Sequence, residues 1–239
     1  MISMVVDTVT PRHGRRFEPL QELALHATAI AASECLPNAK SGLTIVRELV
    51  GPIGIPDFTA LIGNPARVLQ RQRSNVPTLT NEIDAGIVAS LNPSAGRSLD
   101  WTASQLGWPK STLQRRVGLL LKMGAVHHVG GERFVRDESL GTLGRIYAVE
   151  AKVDDWRSAL RQVRTYRVWA DSYLLVMGPL TDRVLAQLVP EVAHDRGGLV
   201  VDGKWLLRPR LGHVAPARRI QAAEAFAAST IGLSLDPTF

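Results

Sequence analysis

The sequence predicts an α/β fold, a mixed sheet flanked by helices, interrupted once by a small helical domain. Two observations carry that expectation. Short runs of branched and apolar residues alternate with amphipathic runs before residue 64 and after residue 144, whereas residues 81–138 repeat a helical period three times and then turn hairpin-like. At the first junction the stretch NPARVLQRQRSNVPTLT is polar, basic and broken by prolines, and is expected to be a linker or an excursion from the first fold. The α/β domain is therefore expected over 15–79 and 140–239, with the inserted domain at 80–139.

With 239 residues and 45% hydrophobic content, the chain can bury a real core. Lys and Arg number 28 against 22 Asp and Glu, a balance of +6 that suits a polyanionic partner. The single Cys35 excludes an internal disulfide and a cysteine-rich zinc site, so a reducing cytoplasm is expected. No apolar run approaches the ~18 residues of a membrane span, and no basic-then-apolar leader opens the chain, so no membrane partner is expected.

Taken in order, a basic and loose N-terminus leads to a helix over 17–33, with Leu20, Leu23, Ala24, Ala27 and Ile30 at helical spacing. GLTIVRELV and DFTALIG read as strands joined by the turn-rich GPIGIP. After Gly144 come the strand RIYAVEAKV, the helix DDWRSALRQVRTYRVWA, the strand SYLLVMG, the helix TDRVLAQLV and the strand pair GGLVVDGKWLLR. Asp154 and Asp155 stand where a helix cap belongs, and Trp156 and Trp205 read as core. Arg161, Arg164 and Arg167 lie on the solvated side of that helix, with phosphate contact as the alternative; the tail RPRLGHVAPARR is either a surface wrap or a strip along a nucleic-acid backbone.

In the inserted domain, Leu99 to Leu106 form a short helix, Gly107 and Trp108 a turn, and Pro109 precedes a second helix as a residue with no donor can. That helix places Leu113, Val117, Leu120 and Leu121 on one stripe and leaves Lys110, Ser111, Thr112, Gln114, Arg115 and Arg116 outward. Gly124 ends it, and AVHHVGGERFVR reads as two strands around Gly130 and Gly131. His127 and His128 are adjacent, hence a poor metal pair, with one expected in the core and one in solvent. The arrangement resembles a winged helix-turn-helix. That resemblance implies DNA binding, with Lys110, Arg115, Arg116 and Arg133 on phosphates, Thr112 or Gln114 near base edges, and Ser111 also on the binding face. A solvated basic face or a protein-binding winged helix is the plainer alternative.

In the strand RIYAVEAKV, Glu150 and Lys152 share one face and Val149, Ala151 and Val153 the other. A surface ion pair would explain that much. Asp57, however, follows Pro56 at the start of a strand of the same sheet, and Gln162 and Tyr166 stand one turn apart on the next helix. Pro56-Asp57, Glu150-Ala151-Lys152 and Gln162 to Tyr166, on a helix, three strands, a helix and a strand, resemble the PD-(D/E)xK nuclease superfamily. The resemblance covers the chain on both sides of the inserted domain and implies a restriction-endonuclease-like sheet. It further implies a DNA endonuclease using Mg²⁺, or Mn²⁺ in its place. Asp57, Glu150 and the Ala151 carbonyl would hold the ion. Lys152 would orient the attacking water and offset phosphate charge, while Gln162 and Tyr166 steady the site. A further acid from the first helix is implied, with Glu22 chosen over Glu18, Glu34 and Glu48. A homodimer is implied only by analogy with enzymes that cut both strands. The rival function is a DNA-binding regulator or scaffold that keeps a nuclease-like fold without cleaving.

Overall fold

The computed structural model describes residues 3–6 and 20–230. Residues 15–19 and 231–239 of the expected α/β domain, Phe17 and Glu18 among them, lie outside the described residues.

The sheet runs through both outer segments of the chain. Its strands are β1 (Ser3–Val6), β2 (Leu43–Arg47), β3 (Phe58–Ile62), then, beyond the inserted domain and its short strands β4 to β6, β7 (Arg145–Lys152), β8 (Ser172–Met177), β9 (Gly198–Val201) and β10 (Lys204–Leu207). They lie in the order β1-β2-β3-β7-β8-β9-β10. β3 pairs antiparallel with β2 and β7, β8 runs parallel to β7 and β9, and β10 returns antiparallel as a hairpin. β7 is the middle strand, which is why it reads as an almost unbroken apolar run: both its faces are covered.

β1 corrects the expectation of a loose N-terminus, since it extends the sheet by pairing parallel with β2. Four residues are too few for periodicity to declare them.

On one face of the sheet, Tyr147, Val149, Leu174 and Val176 pack against α1 (Leu20–Glu34). The helix meets the sheet through Leu25, Ala29, Ala32 and the following Leu36. The expected stripe through Leu23, Ala24 and Ala27 instead faces outward, on nearly the opposite side of the helix, while Ile30 packs partly against the sheet. The alanine-rich sequence, apolar on most sides, left the burial direction open.

The other face is covered by α6 (Trp156–Tyr166), α7 (Asp182–His194) and α8 (Pro216–Ser229), through Ala159, Leu160, Val163, Leu188, Val192 and Phe226. Asp155 caps α6, its carboxylate accepting the Ser158 amide at 3.1 Å.

Two elements differ from expectation and are linked. The stretch expected to be a linker contains α2 (Pro65–Arg73), capped by Asn64 with Pro65 at its first turn. The basic tail runs into α8, again with proline at the helix start. Both prolines stand where the missing N–H costs nothing, so they begin helices here. Arg71 of α2 and Glu224 of α8 form a buried, two-pronged pair, with Arg71 Nε 2.7 Å from Glu224 Oε1. The remaining guanidinium donors go to Ser74 Oγ and the carbonyls of Val76 and Pro77, and Glu224 Oε2 also accepts the Leu79 amide. Every strong group of this buried pair is thereby satisfied.

The inserted domain is built from α3 (Glu82–Ser90), α4 (Leu99–Leu106), α5 (Lys110–Lys122) and a small sheet of β4 (Arg97–Ser98), β6 (Arg133–Arg136) and β5 (Val126–His128), in the order β4-β6-β5. It is a winged helix. Gly107, left-handed at φ 66°, ends α4. α5 closes with Gly124 at φ 71°, where the Ala125 amide reaches the Leu120 carbonyl at 2.9 Å and the Gly124 amide reaches that of Leu121 at 3.1 Å.

The core of this domain takes in Leu79, Leu140 and Ile220, all from outside the expected boundaries of 80–139. α8 thus serves two cores, with Phe226 beneath the sheet and Ile220 beneath the helices. Two further expectations fail here. Leu121 is exposed, the stripe being Leu113, Val117 and Leu120. His127 and His128 are both exposed, on the edge strand β5 whose buried position is Val126: His127 meets Asp137 at 3.0 Å and His128 lies edge-on to Phe134.

Candidate active site

Asp57 continues β3 by one residue. Because Phe58 pairs with Val149 in an antiparallel ladder, Asp57 stands across from Glu150 on the same face of the sheet. The Ala151 amide donates to Asp57 Oδ2 at 2.8 Å, fixing the carboxylate against β7. Asp57 is 6% and Glu150 0% exposed, so both acids lie inside the fold. Lys152 follows on the same face at the end of β7 and is half-buried.

α6 crosses this end of the sheet and brings Tyr166 down. Its hydroxyl, with one proton to donate, sits 3.2 Å from Glu150 Oε2 and 3.1 Å from the Ile55 carbonyl. Gln162, one turn earlier, is partly buried, and its Oε1 has no hydrogen-bond partner among the described residues. Asp57, Glu150 and Tyr166, far apart in the chain, therefore converge as expected, with Lys152 adjacent on the strand.

The loop between β2 and β3, a turn by its sequence, forms one wall. Trp169 Nε1 donates to the Ile53 carbonyl at 2.8 Å, and Gly51 lies so close to the Trp169 ring that a Cβ would fall 2.6 Å from it. Gly54, at φ 71°, lies under Tyr166 in the same way, at 2.8 Å from a built Cβ to Cε1. The signal in the sequence was two glycines flanking Pro52-Ile53, but nothing in the sequence says which rings they touch. Glu48, at the other end of this loop, has a left-handed φ of 48°, and its amide donates to the Asp57 carbonyl at 3.0 Å.

Asp57, Glu150 and the Ala151 carbonyl are hard oxygen donors, the kind Mg²⁺ takes while keeping water in its other positions. The residues fit such an ion, and the buried Gln162 Oε1 adds a further polar atom that burial makes costly to leave without a partner. Among the described residues no group of three His, Cys, Asp or Glu assembles as a metal site. Glu22 falls on α1, but its side chain lies outside the described residues; Glu34 ends α1 in solvent.

In the winged helix, Lys110, Ser111, Gln114, Arg115 and Arg133 are exposed and Thr112 is half-buried. Lys110 makes an exposed ion pair with Asp100 at 2.6 Å, which raises its pKa through the hydrogen bond and the charge of that acid. Arg116 is different. Its guanidinium grips the buried Asp84 of α3 through Nε at 2.8 Å and through Nη2, so it locks two helices together and is not part of the outward surface. Arg161, Arg164 and Arg167 all lie on the exposed side of α6 as expected, and Arg164 and Arg167 reach from there to the buried Asp195, at 2.6 and 2.9 Å. The tail runs over the surface from Arg208 to Ala215, held by the buried Pro209 and Val214, before it enters α8.

No family model matches the sequence, and no curated protein matches it. A solved protein of unknown function from Silicibacter pomeroyi is similar over 89% of this chain and 86% of its own, with 15% identity and a TM-score of 0.38. Among the described residues no helix is long and apolar enough to cross a membrane.

Proposed function

We propose that the protein is a metal-dependent DNA endonuclease of the PD-(D/E)xK kind, in which the winged helix holds the duplex that the α/β domain cuts. One observation supports this above the rest: two buried carboxylates from different strands meet at one end of the sheet, braced by the Ala151 amide and the Tyr166 hydroxyl, with a lysine beside them. Two acids buried so close together are stabilised by cationic charge, which Lys152 and a bound divalent ion would supply together.

Asp57, Glu150 and the Ala151 carbonyl would hold Mg²⁺, or Mn²⁺ in its place, which when bound lowers the pKa of water and offsets charge on a phosphodiester. Lys152 orients the attacking water and takes up negative charge on the phosphate as the bond breaks. Tyr166 keeps the Glu150 carboxylate in place, and Gln162 offers an oxygen on the same side. The exposed Lys110, Arg115 and Arg133, with Ser111, Thr112 and Gln114, contact the duplex. A cytoplasmic setting accords with the single cysteine.

The test is cleavage of plasmid and linear DNA with Mg²⁺ or Mn²⁺ beside Asp57→Asn and Lys152→Ala, with melting curves as a folding control. Lys152→Ala is expected to cut about 10²- to 10⁴-fold more slowly while binding DNA as before. A wild type that shifts DNA on a gel and cuts nothing in either metal overturns this reading in favour of a non-cleaving regulator.

A further inference from the structure

A cavity of about 700 Å³ opens between α2 of the α/β domain and the wing of the winged helix. Leu69, Gln70 and Arg73 line it from α2, and His127, Arg136 and Ser139 from the wing side. Arg136 ends β6 partly buried, and its Nε is buried with no hydrogen-bond partner among the described residues. Arg71, Arg116, Arg164 and Arg219 each meet a carboxylate. Arg136 meets none among the described residues, and burial with nothing to oppose it pushes its pKa down.

The two acids of the cavity do not supply the missing charge. Asp137 is taken by His127 at 3.0 Å and by the amide and hydroxyl of Ser139, and Glu138 is exposed. A guanidinium withdrawn from water without a counter-charge costs free energy, and a cleft with room for a ligand is where that cost is recovered.

We propose that this cleft is a phosphate-binding site, in which Arg136 from the wing and Arg73 from α2 hold one phosphate group between the two domains. A guanidinium presents its donors as a planar fork that matches two phosphate oxygens, and the second arginine and the Gln70 amide widen the set. The phosphate comes either from the backbone of a bound duplex or from a free phosphorylated small molecule. The duplex source rests on the reading of the winged helix as a DNA binder; the phosphate chemistry does not.

The experiment is run on the full chain in EDTA, so that cleavage plays no part. Duplex affinity is measured across a salt series, and the melting temperature is followed with inorganic phosphate and with ADP, for wild type, Arg73→Gln, Arg136→Gln and Arg136→Lys. If the source is the duplex, Arg136→Gln weakens binding about tenfold at low salt. The slope of log affinity against log salt then falls by about 0.9, and Arg136→Lys restores much of both. If the source is a free molecule, phosphate or ADP raises the wild-type melting temperature and not that of Arg136→Gln, with duplex binding unchanged. Arg136→Gln is expected to melt no lower than wild type without ligand, because it removes an uncompensated charge. Duplex affinity, salt slope and ligand-induced melting shifts that are all the same in wild type and the two glutamine variants overturn the proposal. Loss of cleavage elsewhere would leave it standing.

Discussion

In the α/β domain the charges of interest lie inside the fold, Asp57 and Glu150 on neighbouring strands and fully enclosed; in the winged helix they stand outside, on α5 and the wing. The contrast governs what each charge can be taken to mean. A buried carboxylate has given up water and must be repaid by some specific partner, so its presence is informative. An exposed arginine costs almost nothing to keep. The winged helix also contains an exception, since Arg116 looks from its sequence position like its neighbour Arg115 and yet serves an interior pair.

The contrast would break if the two domains proved to be separable bodies, and the pair between Arg71 and Glu224 is where that is tested. Glu224→Ala leaves a buried guanidinium and the Leu79 amide without their partner. A loss of about 3–5 kcal/mol is expected, on the order of 10 °C in melting temperature for a chain of this size. Because α8 belongs to both cores, the whole chain is expected to melt in one lowered transition by calorimetry. Two transitions, with only one displaced, would mean that the winged helix folds independently of α8.

Where buried charge interrupts an apolar strand, the sequence was legible. The alternation in RIYAVEAKV puts Glu150 and Lys152 on one face, whereas Asp57 and Tyr166 are implied as their partners only by the resemblance to the PD-(D/E)xK superfamily. The end of α4 and both ends of α5 were marked by their own punctuation, Gly107, Pro109 and Gly124. What escaped was whatever depended on a distant partner. Arg71 and Arg116 are indistinguishable from surface arginines until Glu224 and Asp84 are placed against them. Pro65 and Pro216 read as breakers although each starts a helix, because a proline's neighbours alone do not reveal which side of it is helical. The buried side of α1 was likewise undetermined, since alanine is apolar in every direction.

A sharper form of the contrast compares Arg116 with Arg115. Arg116→Ala strands the carboxylate of Asp84, and a destabilisation of about 1–3 kcal/mol is expected in urea unfolding. Arg115→Ala changes an exposed side chain and is expected within about 0.5 kcal/mol of wild type. The order reverses for DNA. Arg115→Ala should lower the salt slope of duplex binding, by about 0.9 for one phosphate contact, while folded Arg116→Ala retains the wild-type slope. Equal salt slopes in all three proteins would remove α5 from the binding surface.

The smallest effect separates two glycines in the same backbone state. Gly54 beside the candidate site and Gly107 in the winged helix have φ of 71° and 66°, so alanine at either pays a similar left-handed strain, about 1–2 kcal/mol. What differs is the space. A Cβ at Gly107 meets nothing within 4 Å, whereas one at Gly54 falls 2.8 Å from Cε1 of Tyr166. Gly54→Ala must therefore move the ring whose hydroxyl lies beside Glu150 Oε2, and the excess of its melting-temperature loss over that of Gly107→Ala reports that displacement. Cleavage is expected to fall with Gly54→Ala and to survive Gly107→Ala under conditions where both variants remain folded. Equal losses of stability, with cleavage untouched in both, would detach the loop and Tyr166 from the site.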